Sequence, residues 1–361
     1  MLTRSLTLGR RSIVYGTFAS ILLALPSHAE SLQKLNTSEL LASMRGIDQL
    51  LPEDQKGLLA PAIITRPTEP QGKMTTQDSS PTQGDLAYGA FQRGWYLTAL
   101  DRATKAVEAG QTKSATLIGV LYETGRGVPQ DLKTAAHWYE LATKNDDPQA
   151  ALRLGLLYLS GSGVAQDKKK AADYLGVAAK AQLNEALFNL ALLYQEGEVF
   201  PQSTAKAKEL YEQASLSDDV DAMYALGLLL LDSEQGQYDE MRGAYWLGRA
   251  ARRGNIEAQV QYAVLLFHGK GVVPNQNEAA DWFERAANAG NPIAMNRLAR
   301  MYAFGAGRPK NIIEASAWQS LASRMGIFDS ELDELTKRIS LNEQEKVSMR
   351  VQELEPLLRS H

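Results

Sequence analysis

The stretch from Ser114 to Asp329 consists of six units that repeat at a constant spacing of 36 residues. Each unit opens with a small residue and carries an alanine in its second half. The openings are Ser114, Ala150, Ala186, Ala222, Ala258 and Ala294, and the later alanines are Ala142, Ala178, Ala214, Ala250, Ala286 and Ala322. A fixed period in this range is typical of stacked supersecondary units, none of which buries its apolar face alone. Because such a stack grows by adding units, a chain of 361 residues does not require two globular domains.

Each unit is predicted to be a helical hairpin. In the first half the apolar residues have helical spacing, as in Ala151, Leu154 and Leu157, which predicts a helix of about eleven residues. In four of the six units a Gly-x-Gly pair then allows positive φ where that helix ends, as at Gly125, and Asp131 is placed to cap a second helix. The second helix carries a recurring, mostly aromatic position, occupied by Trp138, Tyr174, Leu210, Trp246, Trp282 and Trp318. These side chains are expected to fill the space between helices.

The units resemble Sel-like repeats, relatives of the tetratricopeptide repeat with a longer, glycine-bearing loop between the two helices. The resemblance is clearest from Ala258 to Gly290, which contains Gly269-Lys270-Gly271-Val272 and Trp282-Phe283-Glu284-Arg285-Ala286-Ala287. It covers 216 of the 361 residues. The resemblance implies an all-α fold, a right-handed α-solenoid whose six helix-loop-helix units occupy residues 114–329.

Further helices are predicted on both sides of the repeats. Residues 85–113 keep the 36-residue register but lack the long loop, so they are expected to form a degenerate capping repeat. Residues 330–361 are predicted to form capping helices at the other end, and Ser340 with Glu343 three residues later has the pattern of a capping box.

Two segments precede the capping repeat. Residues 30–51 place apolar side chains at helical spacing, which predicts a short amphipathic helix. That helix either docks on the solenoid or serves as a detachable partner-binding element. Residues 52–84 are rich in Pro, Gln, Thr and Ser and are predicted to be a linker.

The N-terminus has the three-part pattern of a cleavable secretory signal. Arginines precede a mostly apolar run over residues 13–25, and Ser27-His28-Ala29 provides small residues before Glu30. The pattern predicts a signal peptide over residues 1–29, with export by the general route or, because Arg10 and Arg11 are paired, by the twin-arginine route. A run this short does not span a bilayer comfortably, so stable membrane insertion is not expected.

The composition fits export to the cell envelope. The chain has no cysteine, which removes disulfides, zinc–cysteine sites and a lipoprotein cleavage site together. Without the signal, 35 basic and 42 acidic side chains remain, and the only tight basic run is Lys168-Lys169-Lys170. Nucleic-acid binding therefore has no support. The predicted location is the bacterial periplasm, with the extracellular space left open.

Catalytic and cofactor sites are not recognisable. The mature chain keeps only His137, His268 and His361, and no two have metal-ligand spacing. The Gly-x-Gly pairs follow helices rather than strands, so they are expected to be architectural and not phosphate loops. Some cysteine-rich members of the family have been linked with β-lactam hydrolysis, but the absence of cysteine makes that transfer poor. No catalytic residue, metal or cofactor is predicted.

A binding surface is predicted instead on the first helices of the units. In the related tetratricopeptide superhelix these helices line the concave face, and positions that vary between units read the ligand. One such column is polar in four of its six units, which include Gln261. Arg300 lies three residues after Arg297, and the pair is expected either to receive a carboxylate or an anionic sugar polymer or, in the case of Arg300, to bridge to the C-terminal helices. The predicted partner-binding residues are Arg153, Asn189, Tyr224, Gln261, Arg297 and Arg300, although Tyr224 occupies a column that ordinarily packs.

These observations predict a periplasmic, non-enzymatic scaffold or regulator that binds an envelope protein or peptide segment through the concave face of the solenoid. The alternative is an envelope enzyme or glycan-binding subunit that acts on peptidoglycan or an exported polysaccharide. The sequence does not identify the partner.

Overall fold

The computed structural model describes residues 82–233 and 238–358. All regular structure in these residues is α-helical apart from single turns, so the predicted all-α solenoid class is confirmed. The signal peptide predicted over residues 1–29, the helix over 30–51 and most of the linker over 52–84 lie outside the described residues. The described chain forms two compact units, residues 82–183 and 184–358.

The unit of residues 82–183 contains three helical hairpins. Its helices are α1 (Gln83–Gln92), α2 (Tyr96–Glu108), α3 (Ser114–Thr124), α4 (Leu132–Thr143), α5 (Pro148–Ser160) and α6 (Lys168–Lys180). Each helix packs against the next along the chain, as expected where a repeat contacts only its neighbours. Helix α1 begins before the predicted end of the linker, because Thr82 and Asp85 form a capping box that the composition of the segment does not reveal.

The unit of residues 184–358 contains four hairpins followed by two closing helices. Its helices are α7 (Asn184–Glu196), α8 (Thr204–Leu216), α9 (Val220–Leu231), α10 (Glu240–Arg252), α11 (Ile256–His268), α12 (Gln276–Asn288), α13 (Pro292–Phe304), α14 (Ile312–Arg324), α15 (Ser330–Thr336) and α16 (Leu341–Leu358). We call the first helix of each repeat an A helix (α3, α5, α7, α9, α11, α13) and the second a B helix (α4, α6, α8, α10, α12, α14).

The two helices of a hairpin approach closely because a small residue of the A helix faces a large one of the B helix. A Cβ added to Gly119 would lie 2.4 Å from the ring of Tyr139, and one added to Gly227 would lie 2.7 Å from Leu247. Such distances leave no room for a side chain. The recurring tryptophans are buried as predicted, with Trp138 fully buried.

The glycines of the loops serve two purposes. The first glycine ends the A helix in the left-handed region, as at Gly125 with φ 67°. The second approaches the beginning of the preceding B helix: a Cβ on Gly271 would lie 2.1 Å from the carbonyl oxygen of Glu240. Asp131 then caps α4 by accepting bonds from the backbone amides of Lys133 and Thr134, as predicted. The loop glycines are therefore architectural.

The C-terminal helices close the second unit. Helix α16 packs on α14 and α12 and buries Val351 and Leu354. Its predicted capping box is present, since the Glu343 carboxylate accepts from the backbone amide of Ser340 at 2.8 Å. Arg350 adds an ion pair to Glu314 at 2.8 Å.

Candidate functional site

The six residues predicted to bind a partner all lie on A helices, in environments that differ. Gln261 and Arg297 are exposed, whereas the other four are half-buried. Arg153 belongs to the unit of residues 82–183, and the remaining five belong to the unit of residues 184–358.

Arg153 is held by a carboxylate of its own chain. Its Nη1 atom donates to Oε2 of Glu123 at 3.0 Å, and the hydroxyl of Tyr139 donates to the same oxygen at 2.5 Å. The Glu123 side chain is only 12% exposed, so both donors contribute to satisfying its charge. We call Glu123, Tyr139 and Arg153 the Glu123 cluster; sequence reasoning selected the arginine and missed its two partners.

Asn189 and Tyr224 also make internal contacts. The side-chain amide of Asn189 donates to the backbone carbonyl of Glu185 on the same helix at 2.7 Å. Burial raises the pKa of Tyr224, and the negative charge of Glu257 raises it further by a smaller amount. Tyr224 therefore remains a neutral, half-buried phenol at neutral pH.

Arg300 bridges α13 to the beginning of α15, which is the second of the two outcomes that the sequence left open. Its guanidinium donates to Asp329 at 2.8 Å and to Glu331 at 2.7 Å. Burial raises the pKa of Asp329, but hydrogen bonds from Arg300 and Asn296 outweigh it and hold that pKa below its ordinary value. The charge of Arg300 is thus already balanced by two carboxylates.

Arg297 has a different environment, at a cleft between α11 and α13. The cleft has a volume of about 370 Å³ and is mainly apolar and aromatic, with walls from both A helices and Phe283 contributed by α12. It is lined by Val264, Phe267, His268, Phe283, Arg297, Arg300, Met301, Phe304 and Ala306. Among the residues that the structure describes, Arg297 has no ion-pair partner. We call this the α11–α13 cleft.

Phe267 and Phe304 are two of the aromatic residues that line the cleft. Phe304 is about half exposed. The guanidinium carbon of Arg300 lies over its ring, 5.2 Å from the ring centroid. Phe267 is half-buried and makes an edge-to-face contact with the exposed His268 at 5.2 Å. The sequence did not identify Phe267 or Phe304 as lining residues.

The signal that identifies Phe267 is a pairing between two positions of the repeat. Where the B helix presents a tyrosine to the A helix, the A helix supplies an acceptor: Tyr139 donates to Glu123, and Tyr211 donates to Gln195 at 2.7 Å. In the other four repeats the A-helix position of this pair is apolar. The six successive pairs, with the A-helix residue first, are Glu123 with Tyr139, Leu159 with Leu175, Gln195 with Tyr211, Leu231 with Leu247, Phe267 with Phe283 and Ala303 with Gln319. The aromatic pair occurs only in the fifth repeat.

A second, more polar cavity of about 460 Å³ lies among α14, α15 and α16. Its lining includes Gln319 and Ser316, both buried, and the Ser316 hydroxyl has no hydrogen-bond partner within the described chain. No group of three or more His, Asp or Glu residues in the described ranges is arranged to hold a metal ion. None of the helices described combines the length and apolar character needed to cross a bilayer.

Comparison with known proteins identifies the repeat. The Sel1 repeat matches residues 112–147, 148–183, 184–219, 220–255, 256–291 and 292–327, which together are more than half of the chain. These bounds begin two residues before the frame used in the sequence analysis. No curated protein matches the chain.

Two solved structures are similar over most of the chain. A Sel1 repeat protein from Oxalobacter formigenes is 24% identical with a TM-score of 0.59, and the match covers 69% of this chain and 100% of that one. The protein c5321, described as a protective antigen of uropathogenic Escherichia coli with an SLR fold, is 23% identical with a TM-score of 0.52, covering 77% of this chain and 70% of that one. At these identities the likeness shows the fold alone.

Proposed function

Because the chain belongs to the Sel1 repeat family, we propose that it is a non-enzymatic scaffold or regulator that binds a protein segment in the cell envelope through its A helices. Sel1 repeat proteins generally mediate protein–protein interaction, and the repeat scaffold is typically non-catalytic. The proposal adds the location, the kind of partner and the surface.

The observation that carries the proposal is the α11–α13 cleft. It joins exposed aromatic surface to a guanidinium that has no acidic partner in the described chain. Aromatic and arginine side chains supply most of the binding energy in typical protein interfaces. Gln261 lies exposed on α11, one repeat before Arg297, so this polar position continues the surface beyond the cleft.

The envelope location rests on the N-terminal sequence pattern. We expect the mature protein to begin at Glu30 and to be released with the periplasmic fraction. N-terminal sequencing of the fractionated protein tests this expectation. A full-length chain in the cytoplasm would contradict the envelope role while leaving the binding role to be tested separately.

The binding role is tested by capture from envelope extract with the mature chain as bait, and partners are identified by mass spectrometry. The bait is compared with a variant that carries Gln261→Ala and Arg297→Ala, and with a control, Arg252→Ala, at an exposed position in the last turn of α10. We expect one dominant protein partner that the double variant loses and the control keeps. Equal capture by all three baits would exclude the proposed surface, and retention on peptidoglycan without any protein would favour the glycan-binding alternative.

A further inference from the structure

The α11–α13 cleft and the Glu123 cluster occupy equivalent positions of the repeat, four repeats apart. Arg297 is the counterpart of Arg153 at a separation of 144 residues. By the same offset Phe267 replaces Glu123, and Phe283 replaces Tyr139. The chain therefore contains its own example of what an arginine at this position binds: a carboxylate at the position of Glu123, at 3.0 Å.

At the cleft that carboxylate is missing from the repeat itself. The substitution of Glu123 by Phe267 removes the negative charge, and the substitution of Tyr139 by Phe283 removes the hydroxyl that shared it. Arg297 keeps its charge beside an apolar surface. The two changes together convert an internally satisfied cluster into a cleft that presents one cation and several aromatic rings.

We propose that the cleft binds a segment of a protein partner in which an acidic side chain stands beside a large apolar one. The carboxylate pairs with Arg297 as Glu123 pairs with Arg153, and the apolar side chain enters between Phe267 and Phe304. This inference rests on the proposed function, since it specifies the chemistry of the partner that the A helices bind.

The charges that line the cleft determine how many acidic groups it can pair with. Arg300 also lines the cleft, but Asp329 and Glu331 already balance its charge. The cleft therefore offers one guanidinium, which suits a single carboxylate better than a polyanion. Its volume of about 370 Å³ is at the small end of the range for ligand pockets, which fits one large side chain with adjoining backbone.

The test uses random peptides displayed on phage, selected on the mature full-length chain. Enriched peptides are synthesised with a fluorescent label, and their affinities are measured by polarisation. We expect the enriched sequences to place Asp or Glu next to Phe, Leu, Ile, Met or Trp. Arg297→Ala should weaken their binding roughly 10- to 30-fold, the loss expected for an interface hot spot.

The decisive comparison is between two substitutions of Phe267. Phe267→Glu introduces a carboxylate where Glu123 stands in the other cluster, so it should pair with Arg297 and compete with the peptide. Phe267→Gln introduces a side chain of nearly the same shape as glutamate but without its negative charge. We expect Phe267→Glu to weaken binding at least as much as Arg297→Ala does and several-fold more than Phe267→Gln, while the control Arg252→Ala binds like wild type. Circular dichroism melts establish that each variant is folded.

Three outcomes overturn the inference. Enriched peptides without an acidic residue would contradict the proposed role of a carboxylate. Equal binding by the two Phe267 variants would contradict the proposed competition for Arg297. Enriched peptides that bind all cleft variants normally would place the peptide site elsewhere. In each case the scaffold would still be supported by one dominant partner that the mature chain captures from envelope extract and that the Gln261→Ala and Arg297→Ala double variant loses, so failure of the cleft chemistry is distinguishable from failure of the function.

Discussion

Residues 82–183 and 184–358 use the same repeat to build two different environments around an arginine. In the first unit Arg153 meets the carboxylate of Glu123, and the hydroxyl of Tyr139 completes the cluster. In the second unit Arg297 lies beside Phe267 and Phe283. The helices that carry these residues are equivalent, so the difference comes from two side chains. A stacked repeat can thus change a satisfied polar cluster into a binding surface without altering its backbone plan.

The comparison also shows why the changes occur together. A tyrosine buried against the A helix needs an acceptor, because a buried hydroxyl without a partner is costly. Glu123 supplies it in the first repeat and Gln195 in the third. A phenylalanine needs none, so Phe283 can face Phe267.

The largest expected effect tests whether the two rings are equivalent in packing. Tyr139 and Phe283 are both buried in their hairpins, at 0% and 3% exposure. Truncation of either to alanine should lower the free energy of unfolding by about 3 to 5 kcal/mol. Urea denaturation followed by circular dichroism measures the loss.

Trp95→Ala is the control for these truncations. Trp95 is 58% exposed, so its removal should change stability by less than about 0.5 kcal/mol. A small effect of Tyr139→Ala or Phe283→Ala, similar to the control, would mean that these rings do not fill the hairpins.

A smaller effect is expected from exchanging the hydroxyl. Tyr139→Phe removes a donor from Glu123 and should cost about 1 kcal/mol, whereas Phe283→Tyr buries a hydroxyl that Phe267 cannot accept and should cost about 1 to 3 kcal/mol. Adding Phe267→Gln to Phe283→Tyr reproduces the pair of Gln195 and Tyr211 and should recover part of the loss. Wild type, Phe267→Gln, Phe283→Tyr and the double variant form a double-mutant cycle in urea denaturation. Additive effects would contradict the pairing rule.

The sequence was sufficient to predict the fold because the same local signals recur along successive repeats. The 36-residue period, the loop glycines such as Gly125 and the capping residue Asp131 each specify local geometry, and the structure confirms them. The short helix-capping signal at Thr82 was missed, because it stands alone at the end of a polar segment and has no repeated counterpart.

The site was less predictable, because a column of the repeat shows which residue varies but not what faces it. Arg153 and Arg297 look alike in sequence, and their difference depends on residues 30 positions earlier, Glu123 and Phe267. Arg300 was predicted either to bind a ligand or to bridge to the C-terminal helices. The outcome depends on the position of Asp329, the N-cap residue of α15. Side-chain partners across helices require the packed structure.

A third contrast lies at the ends of the B helices and is expected to be worth about 1 kcal/mol. The residue after α6 that adopts the left-handed region is Gln182, with φ 59°, whereas the equivalent residue after α12 is Gly290, with φ 87°. Gln182→Gly should stabilise the first unit by a few tenths of a kcal/mol to about 1 kcal/mol, and Gly290→Ala should destabilise the second by about 1 kcal/mol. A Cβ at Gly290 would meet no atom within 4 Å, so the penalty is conformational. Opposite signs in denaturation midpoints are expected, and equal signs would contradict the explanation.

The smallest effect concerns two tyrosines that are equivalent in the two units. Burial, the charge of Glu140 and a hydrogen bond to Glu140 raise the pKa of Tyr158 to about 12. Burial and Glu284 also raise the pKa of its counterpart Tyr302, but there Arg308 opposes the shift. Val164 occupies the position of Arg308 in the first unit, so Tyr158 has no such opposition from that position.

Alkaline titration of the phenols tests this last contrast. A raised folded-state pKa means that the stability contributed by Tyr158 is present below pH 10 and is lost as the pH rises toward 12, because the unfolded chain releases its proton first. Arg308→Ala should raise the pKa of Tyr302, and Glu140→Gln should lower the pKa of Tyr158. Because both phenols are protonated at neutral pH, these changes in tyrosine pKa should leave the stability of the protein at neutral pH almost unchanged. The ultraviolet absorbance of the phenolates, compared with the matching Tyr158→Phe and Tyr302→Phe proteins, assigns each titration. If Arg308→Ala leaves the titration of Tyr302 unchanged, the arginine does not account for the difference between the two units.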